Sequence, residues 1–563
     1  MIEKDSEKTL ARLLYFGLPL ITVFLINGSV TDPVNTPKFF LLGSIAVASF
    51  LVVLRNANQL MARGTRILGA MILLFFLVSV GVLFASPAPL VQSLYGVYGR
   101  NSGFLTYLFL SLILLASAQL RLRKSFGKIL YGLMAAGVIN VLYCGWVLAF
   151  GEILSWNNPY GNILGTFGNP NFIGAYLGIF VTVWLAFAIA PTTHKYFKLA
   201  SIFLFPLALI EIVASRAIQG RVLMVAGFGL VGFFWINSRF RNVKLSSTYV
   251  ISSIVVSGFA LMGALQKGPL EPYIYKRSVS LRGQYWLAGW NAGSEHPLTG
   301  VGFDSFGDWY RRARDLHALE LPGVNTVVNT AHNVPLDIFA SGGWPLFVSY
   351  ISLLVYTVLK IIKLSKIIKS YDPIFVGLVS AWSTYQLQSI ISINQIGLAI
   401  WGWSLSGLII GYEFVLKREA LANGEANKTR PKPGKTKVVS SSMFAGVGLL
   451  VGALISVPPL NADLRWRTAQ VSRDATQLEN SLKPSYLNPQ NTFKYLNTIQ
   501  VFEENNLNDL SHRYALNAVQ FNPESYDSWK FLFLIKGSSD AERADALSNM
   551  KRLDPLNPDV TAN

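Results

Sequence analysis

The chain has 563 residues, of which 52% are hydrophobic and only 14% are charged, a balance that excludes a disordered protein and an ordinary water-soluble globule. It indicates many membrane-spanning helices instead. The formal net charge of +18 also suits a nucleic-acid-binding protein, but the basic residues come in short clusters between apolar runs, so we expect membrane lipids and no nucleic acid as partners.

Apolar runs long enough to cross a hydrocarbon core of about 30 Å occur thirteen times along the chain. The sequence therefore predicts an all-α polytopic membrane protein with about 12–13 transmembrane helices. Nine of the runs form an N-terminal membrane region, residues 1–265, and four more occupy residues 335–457. The predicted spans lie near 12–30, 38–54, 67–85, 103–120, 129–150, 171–190, 199–215, 221–237, 247–265, 335–359, 373–391, 396–416 and 442–457.

The connections between the predicted spans alternate in charge. Basic clusters fill every second connection, whereas the connections between them hold few basic residues. By the positive-inside rule the basic connections and the N-terminus are cytoplasmic, and residues 266–334 and 458–563 are extracytoplasmic. The basic clusters lie at 55–66, 121–128, 195–198, 239–244, 360–369 and 417–437, and the few basic residues opposite them are Lys38, Arg100, Arg216 and Arg221.

Two arginines of the stretch SRAIQGR (215–221) lie at the ends of spans near the predicted outer face. The guanidinium groups of Arg216 and Arg221 suit phosphate groups through their bidentate geometry and permanent charge. The alternative is that both side chains only reach from the span ends to the membrane interface.

Glu211 is the main acidic residue within a predicted span. An ionisable side chain is costly inside a membrane and is by default a candidate functional residue. The alternative is that Glu211 pairs with an arginine near Arg216 and only offsets its charge. The sequence does not choose between these interpretations.

The predicted outer loop, residues 266–334, is much longer than an ordinary connection, which indicates function or disorder. Its content argues against disorder: RGQYWLAGWNAG (282–293) predicts an interfacial helix, and HPLTGVGFDSF (296–306) predicts tight turns. Its seven basic and six acidic residues nearly balance, so any selectivity for anions must come from individually placed arginines.

The stretch NTAHNVP (329–335) combines a helix start with a reactive side chain. Asn333 is a good N-cap and Pro335 suits a first turn, so the tenth span is predicted to begin here. Such a helix end attracts anions, and the neutral imidazole of His332 can act as a general base. The alternative is that His332 and Asn333 only cap the helix, and that the glycines of SGG (341–343) serve close packing.

The tail, residues 458–563, has the composition of a soluble helical region. The stretches AVQFNP (518–523) and MKRLDP (550–555) lie roughly one tetratricopeptide period apart. They suggest a tetratricopeptide-like module, which would favour a macromolecular acceptor or partner. An unrelated helical cap is the alternative.

Several stretches together resemble the O-antigen ligase and Wzy-type polymerase superfamily, and the resemblance covers roughly residues 10–416. The outer-loop motifs are its most specific part. The stretches are SR-x-x-x-G (215–220), R-x-x-YW (282–286), HPLTGVGFDSF (296–306) and AHN-x9-G (331–343), together with TDPVNTPKFF (31–40) and GTFGNPNFIGAYL (165–177).

The resemblance implies a GT-C-like helical fold and a glycosyltransferase in the bacterial plasma (inner) membrane. Such an enzyme moves a glycan from an undecaprenyl-diphosphate carrier to an acceptor hydroxyl on the outer face. No metal or cofactor is implied, and the sequence has only one cysteine. The implied site residues are His332 as general base, Arg216, Arg282 and, further, Arg221 as diphosphate-binding residues, and Asn333 and Gly343 as supporting residues.

The acceptor stays open between a lipid core, another carrier-linked repeat and a protein hydroxyl, which correspond to a ligase, a Wzy-type polymerase and a protein O-oligosaccharyltransferase. Trp344, Pro345 and Leu346 follow Gly343, where ligases usually have a second small residue three positions on. Two other classes remain as alternatives. A transporter of lipid-linked sugars would carry charges along its span interiors and inverted repeats, and a scaffold would use its membrane part as an anchor.

Overall fold

The computed structural model describes residues 2–56, 63–156, 158–424 and 440–561. These residues form helices, with an isolated bridge between Ser485 and Asn488 and no strand within the described ranges. The prediction of an all-α protein is confirmed. The first ten helices are α1 (Ile2–Val23), α2 (Asn35–Leu54), α3 (Arg63–Ala85), α4 (Leu90–Tyr95), α5 (Phe104–Ser117), α6 (Arg123–Phe150), α7 (Pro170–Ala188), α8 (Lys195–Ala214), α9 (Ile218–Phe240) and α10 (Val243–Ala264).

The second part of the chain holds the predicted outer loop, four long helices and the tail. Its helices are α11 (Glu271–Ile274), α12 (Arg277–Glu295), α13 (Phe306–Ala313), α14 (Val334–Ile367), α15 (Pro373–Ile391), α16 (Ile396–Gly424), α17 (Ser441–Ser472), α18 (Ala475–Leu482), α19 (Thr492–Glu504), α20 (Asn508–Phe521), α21 (Tyr526–Leu534), α22 (Asp540–Leu553) and α23 (Pro558–Thr561).

Ten helices in the described part of the chain are long and apolar enough to cross a membrane, namely α2, α3, α6, α7, α8, α9, α10, α14, α16 and α17. The protein is therefore a multi-pass membrane protein. Helices α1, α5 and α15 lie at the other three predicted positions without meeting this criterion, and α5 has only 14 residues.

The predicted first span, 12–30, is wrong at both ends, because α1 covers Ile2–Val23. Its polar start is anchored within the fold, because the Glu7 carboxylate accepts hydrogen bonds from the backbone N–H groups of Arg121 and Leu122, at 2.9 and 3.2 Å. The connection that follows includes Gly28, whose φ of +82° suits glycine.

Helices α2 and α17 pack against each other along a seam of small residues. A Cβ atom on Gly448 would lie 2.4 Å from Ala48 Cα, and one on Gly452 would lie 2.3 Å from the carbonyl oxygen of Gly43. Small residues allow two backbones to approach this closely in a membrane. The seam places the C-terminal part of α17 beside the start of α2, where the candidate site lies.

The charge pattern placed Lys38 in a connection between spans. In the structure it is instead a buried residue in the first turn of α2. The helix begins before it because Asp32 accepts hydrogen bonds from the backbone N–H groups of the residues that follow. The Lys38 ammonium donates to the carbonyl oxygens of Thr22 and Thr166, each at 2.7 Å. It therefore ties three segments together beneath the site.

The turn HPLTGVG (296–302) docks onto a break in α14 at Gly342 and Gly343. The backbone N–H groups of Val301 and Gly302 donate to the carbonyl oxygens of α14, and Trp344 N–H donates to Pro297 O at 2.8 Å. A Cβ atom on Gly343, which has φ of +61°, would lie 2.2 Å from Pro297 O. Gly343 thus permits the contact that joins the loop to α14.

The tail is continuous with the membrane bundle, because α17 runs past the predicted domain boundary at 457/458 and ends only at Ser472. Helices α19 and α20 then pack against each other, and so do α21 and α22. The tail also forms ion pairs with α13 and the residue after it, for example Arg314 with Asp554 at 2.7 Å. The loop and the tail therefore lie at the same end of the bundle.

Candidate functional site

A cavity of about 620 Å³ lies at the end of the bundle that also carries the loop and the tail. Its wall combines the start of α2, the connection before α5, the stretch before and at the start of α7, and the connection between α15 and α16. It is lined by residues in 27–35, 99–102, 155–172 and 392–395, together with Arg282, His332 and Arg467.

Two of the stretches outside the loop that resemble the superfamily contribute to this wall. Residues 31–35 of TDPVNTPKFF line the cavity on one side, and Phe167, Gly168, Asn169, Asn171 and Phe172 of the GTFGNPNF stretch line it on another. Stretches far apart in the chain therefore meet at the cavity that contains His332.

His332 is held by contacts with its own neighbours. Its backbone adopts the left-handed φ of +54°, which non-glycine residues rarely do. Its N–H donates to the Thr330 hydroxyl at 2.8 Å, and its Nδ1 lies 3.3 Å from both oxygens of Thr330. The Tyr285 ring packs against the imidazole at 5.3 Å between centroids. Since Nδ1–H can donate to the Thr330 carbonyl, the lone pair on Nε2 stays available.

The electrostatic surroundings keep His332 uncharged. Burial lowers the pKa of His332 to about 4, with Arg282 and Arg100 as further positive charges that lower it and the Thr330 carbonyl opposing them. The imidazole is therefore neutral near pH 7, the state that a proton acceptor requires.

Arg282 lines the same cavity from α12, one turn before Tyr285. Its Nε is buried without a hydrogen-bond partner, and its guanidinium makes no ion pair with any residue in the described ranges. Burial also lowers the pKa of Arg282. An unpaired guanidinium next to a neutral imidazole is an arrangement suited to an anionic ligand.

Arg100 is the second arginine close to His332, and it has protein partners. It forms an ion pair with Asp304 at 3.1 Å and donates to the Asn329 carbonyl. Asp304 in turn accepts from the backbone N–H groups of Val97 and Ser102, at 2.8 and 3.2 Å. Arg100 therefore fixes the loop that carries His332.

Arg216 and Arg221 do not line the cavity, although their motif reaches its wall. Arg216 is exposed at the end of α8, with a left-handed φ of +55°, and its carbonyl accepts from Lys276 at 2.6 Å. The Arg221 Nε is buried without a described partner. Gln219, between them, donates to the carbonyl of the lining residue Asn171 at 2.6 Å. The phosphate-binding roles of both arginines stay predictions.

Asn333 caps α14 as its sequence predicts, since its side chain accepts from Leu336 N–H at 3.1 Å. Asp337 N–H donates to the Asn333 carbonyl, and the Asp337 carboxylate accepts from Ala331 N–H at 2.6 Å. None of residues 333–337 lines the cavity. The expected anion site at the helix start is thus separate from the cavity, which depends on side chains instead.

Glu211 is buried in α8, and neither of its carboxylate oxygens has a hydrogen-bond partner among the described residues. It forms no ion pair with Arg216 or with another arginine there. A Cβ atom on Gly145 would lie 3.4 Å from its Oε1, which places it against α6. The interpretation of Glu211 as a partner of an arginine is therefore wrong.

Among the polar residues of the cavity wall, the sequence did not single out Arg100, Asn35, Gln395 and Arg467 as site residues. Arg100 was visible as a rare basic residue in a predicted outer connection, and the glycines that flank it are a usable signal. Asn35 and Gln395 bond to each other at 3.2 Å across the wall, which only the fold reveals. No three His, Cys, Asp or Glu side chains are grouped to hold a metal within the described residues.

The fold and cavity define a multi-pass helical membrane protein with an arginine-rich polar cavity at one end of its bundle. Residues 202–351 match the family described as O-antigen ligase. The match covers roughly a quarter of the chain and contains Arg216, Arg221, Arg282, His332 and Gly343. It indicates an O-antigen ligase-like role in handling glycans at a membrane. None of the curated proteins compared with the chain matches it.

Proposed function

We propose that the protein is a glycosyltransferase that moves a glycan from an undecaprenyl-diphosphate carrier to an acceptor hydroxyl. One observation carries the proposal: a neutral imidazole with an available nitrogen and a guanidinium without a protein partner line the same cavity. The match to O-antigen ligases supplies the class of donor.

The proposed step is a single displacement at the sugar. The acceptor hydroxyl donates its hydrogen bond to His332 Nε2, and the hydroxyl oxygen forms a bond to the anomeric carbon as the bond from that carbon to the diphosphate breaks. His332 takes the proton, and the carrier leaves as undecaprenyl diphosphate. Arg282 stabilises the negative charge that grows on the leaving diphosphate, and Arg100 keeps the histidine loop in place.

Binding of the donor also improves His332 as a base. In the empty cavity the positive charges of Arg282 and Arg100 help to lower its pKa. A bound diphosphate offsets these charges and raises the pKa of the imidazole toward its ordinary value. The histidine thus becomes a stronger proton acceptor when the donor is in place.

The location follows from the charge pattern of the connections. We propose a bacterial plasma membrane with a cytoplasmic N-terminus, so that the cavity and the tail face outward. Arg216 and Arg221 lie outside the cavity wall, and we assign them to the carrier where it approaches the cavity. The acceptor is a lipid core, a carrier-linked repeat or a protein.

A cavity with a neutral imidazole and a guanidinium without a described partner at one end of the bundle favours a transferase over a transporter, whose site must open to both faces.

The test uses purified protein, an undecaprenyl-diphosphate glycan and each of the three acceptor classes in turn. His332→Ala should lower transfer by about 10²–10⁴-fold, because it removes the proton acceptor. His317→Ala is the matched control, since His317 is an exposed histidine of the same loop outside the cavity. Transfer by the His332 variant at the wild-type rate would contradict the assigned role.

A further inference from the structure

We infer that Arg467, in the last long helix, is a further binding residue for the diphosphate of the lipid carrier. The inference rests on the proposed function for its ligand, but it adds a residue from a different part of the protein. Arg467 lies outside the segment matched to O-antigen ligases, which ends at residue 351, and outside every motif that the sequence singled out.

Arg467 lines the cavity together with Arg282 and His332. It lies in the part of α17 that extends beyond the predicted last span toward the tail. The glycine seam between α17 and α2 brings it there, because α2 begins at the cavity wall. The histidine, the loop arginine and the tail-side arginine therefore converge from three separate segments.

The position of Arg467 is fixed by Asp463, one turn earlier on α17. The buried Asp463 carboxylate accepts from the backbone N–H groups of Thr31 and Asp32, each at 3.0 Å, and from the Tyr98 hydroxyl at 2.7 Å. Thr31 and Asp32 themselves line the cavity. This turn of α17 is thus bonded directly to the wall, and the arginine is preorganised next to it.

Within the described residues the Arg467 guanidinium has no carboxylate within ion-pair distance, and its Nε is buried without a hydrogen-bond partner. Asp32 is the one carboxylate among the described residues that line the cavity. Its oxygens are occupied by the N–H groups of Val34, Asn35 and Thr36 and by the Thr36 hydroxyl. Its oxygens are therefore not available to form a hydrogen-bonded ion pair with an arginine.

Two of the three arginines in the cavity wall have no ion-pair partner among the described residues and are free to bind a diphosphate. Of the three, Arg100 is paired with Asp304, whereas Arg282 and Arg467 are unpaired in the described structure. A diphosphate carries at least two negative charges near neutral pH, and a guanidinium binds a phosphate through two parallel hydrogen bonds. Two free guanidiniums thus suit its two phosphates.

The test measures the binding of undecaprenyl diphosphate in detergent to the full-length purified protein, without any transfer reaction. Arg467→Ala should raise Kd about tenfold or more, as expected for the loss of a charge-assisted hydrogen bond. Arg467→Lys keeps the charge but not the bidentate geometry, so its Kd should lie between those of the wild type and Arg467→Ala. Arg465→Ala is the control, because Arg465 is exposed on the same helix and outside the cavity. It should bind as the wild type does.

Inorganic pyrophosphate is the second probe, and it separates the lipid carrier from a free diphosphate. We expect weaker binding of pyrophosphate and the same relative loss in Arg467→Ala. If the wild type binds both probes equally and Arg467→Ala weakens both, Arg467 is supported as a ligand of diphosphate. The lipid carrier as the origin of that diphosphate is then overturned.

The outcomes also separate this inference from the proposed function. Wild-type affinity in Arg467→Ala together with weakened binding in Arg282→Ala overturns the inference alone. A wild-type protein that binds neither probe overturns both. If Arg467→Ala does not elute as a folded protein, the comparison of Arg467→Lys with Arg465→Ala decides the question, since wild-type affinity in the lysine variant then counts against the bidentate contact.

Discussion

Two groups of arginines lie at the same end of this protein, and they differ in whether they have partners. Arg311, Arg312 and Arg314 face the tail and pair with carboxylates there, whereas Arg282 and Arg467 face the cavity and have no such partner in the described structure. The sequence does not distinguish the two groups. The difference shows that pairing, and not residue type, separates arginines that hold the fold from arginines that are ready for a ligand.

The paired group joins the loop to the tail. The buried carboxylate of Asp554 accepts from Arg311 at 3.0 Å and from Arg314 at 2.7 Å. Glu524 pairs with Arg312. The basic and acidic residues of the loop are nearly equal in number, but they do not all pair with each other. These three arginines pair with acidic residues of the tail instead.

The tail interface is also connected to the site through aromatic rings. Tyr310 of α13 packs against Tyr285 at 6.2 Å between centroids, and Tyr285 packs against His332. The paired arginines anchor the same α13 segment to the tail. A continuous series of packed side chains therefore connects the tail interface with His332.

Asp554→Asn should give the largest effect, because it leaves two buried guanidinium groups without their shared acid. Loss of one partner of a buried ion pair costs about 3–5 kcal/mol. We expect a lower unfolding temperature of the purified protein and faster proteolysis within residues 473–561. Asp545→Asn is a suitable control, since Asp545 is exposed on α22. An unchanged unfolding temperature would mean that the pairing at Asp554 does not stabilise the tail.

Arg282→Ala should have the next largest effect, and on activity instead of stability. Loss of a group that stabilises developing charge lowers kcat by about 10²–10³-fold. Because Arg282 is partly buried and has no ion-pair partner among the described residues, its removal should leave the unfolding temperature unchanged or raise it. Arg314→Ala should have the opposite stability effect. The comparison between the two groups fails if Arg282→Ala destabilises the protein as strongly as Arg314→Ala does.

The pH dependence should show the smallest effect. The pKa of His332 lies at about 4, below its ordinary value of 6.5, so the imidazole keeps its neutral form as pH falls through 6.5 and loses it only near pH 4. The acid limb of kcat/KM, which reports the free enzyme, should therefore lie near pH 4. Arg282→Gln should move it slightly upward, since the positive charge of Arg282 helps to lower this pKa. An acid limb at pH 6.5 in the wild type would argue that a solvated group controls the rate.

Much of the fold could be predicted from the sequence, because long apolar runs and helix-start residues act locally. The positions of the long helices followed from the runs, and Asn333 capped α14 as its side chain predicts. The start of α1 could not be predicted in this way, since the bonds that hold Glu7 come from residues more than a hundred positions away. The burial of Lys38 was missed in part for the same reason, since one of its two partners, Thr166, is also more than a hundred positions away.

The site could be predicted in part. His332 and Arg282 belong to recognisable motifs, and both line the cavity. Arg467 carried no local signal, because its place depends on the packing of Gly448 and Gly452 against α2. The sequence pattern records which helix faces are small or apolar, but not which helices meet. Arg216 and Arg221 show the converse. Their motif is recognisable and its Gln219 contacts the wall, but neither arginine lines the cavity.

The continuity of α17 affects how the tail can be studied. A protein shortened at residue 457, where the apolar run ends, would lack Asp463 and Arg467 as well as the tail. Its inactivity would follow from the loss of residues of the cavity wall. It would not test whether the helices of the tail bind the acceptor. A cut after Ser472 keeps Asp463 and Arg467, and it is the deletion from which the contribution of the tail itself, including its ion pairs with the loop, can be measured.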